Sequence, residues 1–227
     1  MTRARDNADG ARLDAPLASP TFTGTVGGIP SSGFKSMQVF ATAGTFTGGS
    51  GWQRPSGITT IKVYVTGGGG GATQATNARS NSGGAGGTSI KVIDVSSITA
   101  VDFTVGAGGT SAVYSTLAGS GGTSSFGSHC TATGGYPTAG SWWSGNNGGV
   151  GSGGNINITG GGGTIMSGSD SGPNGGNSFW GGGGKGAEDA AGNAATVGTL
   201  GGGCGGNDRG FSSAIGGVGV ILVEEYS

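Results

Sequence analysis

The sequence has few charged residues, and this scarcity limits what the protein can bind. Only 9% of its 227 residues are Asp, Glu, Lys or Arg, and the net charge is −1. Proteins that bind nucleic acids neutralise phosphates with clustered Lys and Arg. The 10 basic residues are scattered along this chain, so we expect no nucleic acid among its partners.

Residues that carry catalysis or bind metals are also scarce. The only histidine is His129, and the two cysteines, Cys130 and Cys204, lie far apart. Zinc sites need four closely placed N or S ligands, so we expect no metal and no cofactor. A nucleophilic pair of His129 and Cys130 is disfavoured because adjacent residues of a strand face opposite sides. We predict that the protein is not an enzyme, and that the cysteines are small buried residues or, as the alternative, form a disulfide.

Long apolar runs are missing as well. No stretch approaches the roughly 20 apolar residues of a membrane-spanning helix, and residues 2–12 are polar and charged, unlike a secretory signal. We therefore expect a protein that is made in the cytoplasm and does not follow the secretion pathway.

Glycine is the residue that the chain has in excess, with 59 copies. Collagen requires glycine at every third position. That pattern is broken here by the uninterrupted run Gly67–Gly71 and by the glycine-free stretch Ser89–Val105. A flexible Gly/Ser linker is excluded by the aliphatic runs at 61–65 and 218–223. The composition therefore indicates a folded protein with an unusually large share of glycine.

The aliphatic runs predict β-strands. Ile61, Val63 and Val65 share one face of a strand at 58–65, and further strands are expected at 88–95 and 101–105. The stretch 218–226 is apolar on both faces, which is typical of a central strand. Shorter candidates are 39–41, 45–47, 123–127 and 130–133. No convincing helix is found, so we predict an all-β fold.

The glycine-rich stretches 67–87 and 134–217 allow two interpretations. They are long surface loops, or extended, polyglycine-II-like helices with three residues per turn. A long structureless loop inside a compact domain is unusual, which favours loops ordered by backbone packing. We therefore predict a glycine-rich, β-sandwich-like domain at 34–227 with long glycine-rich loops.

Residues 1–33 form a separate segment. Pro16 and Pro20 exclude a continuous helix or a central strand, and Phe22 and Val26 have no local apolar partner. We expect an extended N-terminal attachment segment that becomes ordered only against other copies of the chain, in a homotrimer.

Two parts of the sequence resemble bacteriophage tail-fibre proteins. Residues 13–24, with the element Pro-Thr-Phe-Thr-Gly-Thr, resemble the short repeats of fibre shafts and collars. Residues 40–227 are similar to the glycine-rich C-terminal domain of tail-fibre and host-recognition proteins. This second match rests on "ITTIKVYVTGGGGG", "GGAGGTSIKV", "TVGAGG", "GGTSSFG", "ATGG" and the terminal "GGVGVILVEEY", in that order.

The resemblance implies a homotrimeric fibre in the virion, assembled in the host cytoplasm. Its distal domain would bind a bacterial surface receptor, either a polysaccharide or an outer-membrane protein. Residues 1–33 would attach to other phage tail or baseplate proteins. Two alternatives are a purely structural virion fibre and a surface-polysaccharide depolymerase, whose two carboxylates would have to come from the glycine-rich inserts.

The resemblance supplies no binding residues, so the candidates come from the aromatic side chains. Several of them lie in the glycine-rich inserts and outside the alternating strands. Trp and Tyr rings suit both stacking on sugars and anchoring to protein loops, although the same rings could instead fill the core. The adjacent tryptophans are our first choice. Neighbours on an extended chain face opposite ways, so we expect one of the two rings to be exposed. The receptor-binding candidates are Tyr136, Trp142, Trp143, Phe179 and Trp180.

Overall fold

The computed structural model describes residues 33–73, 81–112, 116–137, 146–165, 172–188, 193–206 and 214–227. All of them belong to one compact unit, Ser32–Ser227. Within these residues no helix is long and apolar enough to cross a membrane. The prediction of an all-β fold is confirmed, since the described elements are twelve strands and a one-turn 3₁₀ helix at Gly48–Ser50.

The strands differ in length, and the four longest have seven residues each. They are β1 (Phe34–Phe40), β2 (Gly44–Phe46), β3 (Trp52–Gln53), β4 (Thr60–Thr66), β5 (Thr88–Asp94), β6 (Ala100–Val101), β7 (Phe103–Val105), β8 (Ser124–Phe126), β9 (Cys130–Ala132), β10 (Gly151–Ser152), β11 (Ile156–Ile158) and β12 (Val220–Tyr226).

These strands form two five-stranded antiparallel sheets and a short two-stranded ribbon. The first sheet has the order β1-β12-β4-β5-β11, the second has the order β10-β9-β8-β7-β2, and the ribbon pairs β3 with β6. Strands β4, β5 and β12 of the first sheet contact β8 and β9 of the second, so the two sheets pack face to face. Strand β12 lies between β1 and β4, which confirms the prediction of a central C-terminal strand.

The core fills the space between the two sheets. The alternation of β4 places Ile61, Val63 and Val65 inside, each fully buried. Phe103 and Phe126 of the second sheet meet them from the other side. Burial of such side chains stabilises the fold by about 1.5–3 kcal/mol each, and this core is the main apolar contribution of the chain.

A buried carboxylate closes the core at one end. Glu225 of β12 is only 1% exposed. It accepts hydrogen bonds from the Trp52 indole N–H at 2.8 Å, from the Gln38 amide at 2.7 Å and from the Ser36 hydroxyl. A buried polar group is tolerated only when it is hydrogen-bonded, so these three donors explain how a glutamate is accommodated in the core.

The glycine-rich stretches form a second structural layer beyond the sheets, which we call the glycine bundle. Within 67–71, successive backbone N–H groups donate to three different chain segments in turn, and the cycle repeats after three residues. An extended helix with three residues per turn points its backbone groups in this way. The donors and acceptors are Gly67 to Gly87, Gly68 to Gly122, Gly69 to Gly217, Gly70 to Gly84 and Gly71 to Gly119.

Close approach, rather than backbone conformation, requires glycine in this bundle. Gly69 and Gly84 do not have a positive φ, so their backbone conformation is open to other residues. A Cβ added to Gly69 would overlap the Gly202 carbonyl, and one added to Gly84 would overlap the Asn147 carbonyl. The neighbouring atoms are backbone and cannot rotate away, so even alanine does not fit there.

The bundle consists of segments that run away from the sheets and return to them. Segment 67–73 continues β4 outward and 81–87 returns to β5, and the later segments follow the same rule. At about 3.1 Å per residue, seven residues reach about 20 Å from the sheets. The segments are 67–73, 81–87, 106–112, 116–123, 133–137, 146–150, 159–165, 172–177, 182–188, 193–198, 201–206 and 214–219.

Candidate receptor-binding surface

One end of the glycine bundle gathers the described residues that flank the chain connections 74–80, 113–115, 138–145, 166–171, 189–192 and 207–213. We call this end the loop pole. Ala72 donates its backbone N–H to Ala214 at 3.4 Å and accepts one from Ala112 at 3.2 Å. Ala187 donates to Gly206 at 3.0 Å. Ends that are distant in sequence are therefore neighbours in space.

Polar side chains fix part of the loop pole. The Ser82 hydroxyl donates to the Asn174 carbonyl at 2.6 Å and accepts the Thr164 N–H at 2.8 Å. The Asn146 amide donates to the Ser82 carbonyl. Ser82 and Asn146 are buried, so these contacts hold three hairpins of the bundle at fixed positions. The connections thus start from an ordered base, as binding loops on a rigid scaffold do.

Exposed apolar side chains also lie near this end. Leu117 is 63% exposed, Tyr136 57%, Ile215 50% and Ile165 42%. Each lies within two residues of a connection. Exposed apolar groups of this kind are typical of contact surfaces when they cluster.

Charge is sparse at the loop pole. Lys185 pairs with Glu188 at 2.8 Å, and the hydrogen bond from Lys185 lowers the pKa of Glu188. Among the described residues, no group of three or more His, Cys, Asp or Glu side chains is placed to hold a metal ion. The described part of this surface therefore offers hydrogen bonds and apolar contacts, and the charges of Lys185 and Glu188 compensate each other.

The structure separates the predicted site residues. Tyr136 lies near the loop pole, two residues before the connection 138–145, and its backbone N–H donates to the Asn147 carbonyl at 3.1 Å. Trp142 and Trp143 lie outside the described residues.

Phe179 and Trp180 lie at the opposite end of the bundle, against the first sheet. The Trp180 indole N–H donates to the Thr66 hydroxyl at 2.8 Å, and its ring centroid is 5.6 Å from that of Tyr64. Phe179 is 46% exposed and packs edge-on against Trp180. These two rings are therefore not brought together with Tyr136.

The sequence contains a signal for this separation. The segments run alternately away from the sheets and back to them. Each returning segment therefore ends next to the sheets, and the residues that follow it lie there too. The turn at 178–181 follows a returning segment, 172–177, whereas 138–145 follows an outward one. Counting glycine blocks from β4 would have placed Phe179 and Trp180 next to the sheets.

The histidine and the cysteines are placed as structural residues. Cys130 is 2% exposed in the core, and burial raises the pKa of its thiol. Burial and the nearby Lys91 charge lower the pKa of His129. A nucleophilic cysteine needs the opposite environment, one that favours the thiolate. Both cysteines are free and buried, which confirms their interpretation as small buried residues and rejects the disulfide.

Comparison with known proteins identifies the family. A family model described as a glycine-rich domain matches residues 42–226, which is most of the chain. The protein therefore belongs to this family of glycine-rich domains. A search of curated proteins finds no match to the chain.

Proposed function

We propose that this member of the glycine-rich domain family is a bacteriophage tail-fibre adhesin subunit that binds the host cell surface during adsorption. One observation carries the proposal: residue 33 and the loop pole lie at opposite ends of the domain. Gly33 accepts a hydrogen bond from the Ser227 N–H, and Phe34 pairs with Tyr226. At this end of its strands the first sheet lies farthest from the glycine bundle.

This polarity suits a fibre tip. The chain enters the domain at residue 33, at one end, and residues 1–33 would attach to other phage tail or baseplate proteins. The connections emerge at the other end, where they would face the bacterium. Main-chain hydrogen bonds hold the bundle, so the side chains of the connections can change without loss of the framework.

The receptor-contact residues that we propose are Tyr136, Trp142 and Trp143. Tyr136 is exposed near the loop pole. The two tryptophans belong to the connection between Pro137 and Asn146. These two flanking residues lie near the loop pole. Stacking of aromatic rings on sugars or on protein loops requires little charge, in keeping with the sparse charge of the described surface. The receptor would be a bacterial polysaccharide or an outer-membrane protein.

We further propose that the subunit acts as a homotrimer in the virion, after assembly in the host cytoplasm. The support comes from residues 13–26: the stretch 13–24 resembles fibre-shaft repeats, and Phe22 and Val26 have no local apolar partner. Three wrapped copies would bury these side chains, which a single extended chain leaves in water.

The test is binding of the fluorescently labelled full chain to a panel of bacterial strains, measured by flow cytometry. We expect the double variant W142A/W143A to lose binding to the strains that the wild-type protein recognises, with its melting temperature nearly unchanged. The matched control is V197A, which removes an exposed apolar side chain from segment 193–198 at the opposite end and should bind normally.

Three results would contradict the proposal. Equal binding of wild type and W142A/W143A would place the contact elsewhere. Binding to no strain would favour a purely structural fibre. Release of reducing ends from host polysaccharide by the purified protein would make it a depolymerase instead.

A further inference from the structure

The two sheets of the sandwich have outer faces of opposite character. The register of the second sheet aligns one hydroxyl residue from every strand into a single row on its outer face. A hydroxyl face of this kind suits contact with water. The row is Thr45, Thr104, Ser125, Thr131 and Ser152.

The corresponding row of the first sheet is apolar. Its register aligns one aliphatic or aromatic residue from every strand across the outer face. Its edges are exposed, with Val39 at 53% and Ile156 at 55%, and the neighbouring Met37 and Val92 are 52% and 54% exposed. At its centre Leu222 and Tyr64 are half-buried and Ile90 is buried. The row is Val39, Leu222, Tyr64, Ile90 and Ile156.

An aromatic cluster extends this row toward the glycine bundle. The Tyr64 ring lies 6.2 Å from Phe179 and 5.6 Å from Trp180. Phe34, at the far corner of the face, is 59% exposed and packs edge-to-face against Tyr226. Aromatic residues at the centre of an apolar patch are the usual anchors of protein interfaces.

The two charges near the centre of this face, Lys62 and Glu224, are paired with each other. Lys62 lies 4.0 Å from Glu224 and over the Tyr64 ring. Glu224 also accepts the Tyr226 hydroxyl at 2.8 Å. The centre of the face therefore carries no uncompensated charge, and a second copy can approach there without bringing like charges together. Asp94 lies at the end of β5 on the same face and accepts the Ser96 N–H at 2.9 Å.

The edge of β1 is less suited to association than the face. Its pairing with β12 shifts register between Phe34 and Ser36, and the exposed Lys35 lies at this irregularity. Bulges and edge lysines are features that block strand addition. Association through this sheet should therefore use its outer face.

We propose that the outer face of the first sheet is the surface through which copies of this chain pack against one another. The proposal rests on the proposed fibre function and names the surface on which its trimer forms. Gly33 immediately precedes β1 at a corner of this face, so chains joined through residues 1–32 would hold these faces close together. Exposed apolar faces of this extent are typical of protein contact surfaces.

The test compares two exposed positions on edge strands of the two sheets in the full chain. M37C lies on the face of the first sheet and T45C on the face of the second, and the native Cys130 and Cys204 are buried. We expect maleimide to label M37C about tenfold more slowly than T45C in the native protein, because access limits thiol reactivity. Both should label at similar rates in denaturant.

A second pair of variants measures assembly by light scattering. V39K should shift the mass toward a single chain, whereas T45K should leave it unchanged. Equal labelling rates in a protein of trimer mass would overturn the interface but not the trimer. Equal rates in a protein of single-chain mass would overturn both, and the bacterial binding assay would still test the adhesin function separately.

Discussion

Replacing a single bundle glycine by alanine should strongly destabilise the protein, and Gly69 is the best position for this experiment. Its N–H donates to Gly217 at 2.8 Å, and its carbonyl accepts from Gly109 at 2.8 Å. An added methyl group would overlap the carbonyl of Gly202. Gly69 thus touches three separate segments, and no side chain among these contacts can move to make room.

The size of the effect follows from these contacts. Overpacking in a dense interior costs about 1–3 kcal/mol. The Gly202 carbonyl also accepts the Gly217 N–H at 2.9 Å, so displacing it weakens a second hydrogen bond, and a buried backbone group left unpaired costs about 1–3 kcal/mol. Substituting glycine usually recovers about 0.4–1 kcal/mol from the unfolded chain. We expect G69A to lose about 3 kcal/mol, or roughly 10 °C in melting temperature.

The matched control is G49A in the 3₁₀ turn, where an added Cβ would have no neighbour within 4 Å and φ is not positive. Its stability should equal or exceed that of the wild type. Both variants would be compared with wild type by guanidinium denaturation and by calorimetry. If G69A stays within about 0.5 kcal/mol of wild type, the close packing of the bundle backbone is wrong.

Three further outcomes follow from the core and the buried groups. E225A should lower the free energy of unfolding by at least about 3 kcal/mol, because three donors lose a buried acceptor. The control E224A removes a partly exposed carboxylate and should cost about 1 kcal/mol or less. Equal losses in the two variants would contradict this. Deleting 218–227 removes the central strand β12 and should abolish cooperative unfolding in circular dichroism; a truncated protein that melts like wild type would contradict the topology. Burial raises the pKa of Cys204 to about 11 from 9.0. The thiolate forms more readily in the unfolded chain, so this thiol should make stability fall between pH 9 and about 11. Burial raises the pKa of Cys130 in the same direction, so C204A should make the fall smaller, and an unchanged pH profile would contradict the reasoning.

The strands could be predicted from the sequence because their signal is local. The alternation of Ile61, Val63 and Val65 gives β4 directly, and apolar residues on both faces of 218–226 give a central strand. Strand β1 is harder to read, because the register shift between Phe34 and Ser36 breaks its period of two. The opposite character of the two outer faces also depends on register, which pairs residues as distant as Val39 and Leu222.

The glycine bundle could not be derived in the same way. The hydrogen-bond partners of 67–71 reach as far as Gly217, and a backbone contact between two glycines leaves no side-chain pattern to read. Composition therefore indicates that glycine is required without indicating which segments meet. No local pattern separates Phe179 and Trp180 from Tyr136 either, and only the count of glycine blocks from β4 places them at the other end of the bundle.

The two layers of the domain are stabilised by different interactions, and this difference bears on how recognition could change. The sandwich depends on side chains such as Trp52 and Phe126, so substitutions there act on packing. The bundle depends on main-chain hydrogen bonds that every residue type except proline can make, provided that no Cβ lies at a contact. Substitutions in the connections change none of the described core side chains and none of the described bundle glycines. If the protein is the adhesin that we propose, sequence changes that alter host range should concentrate in the six connections, while the bundle glycines and the sandwich core stay fixed.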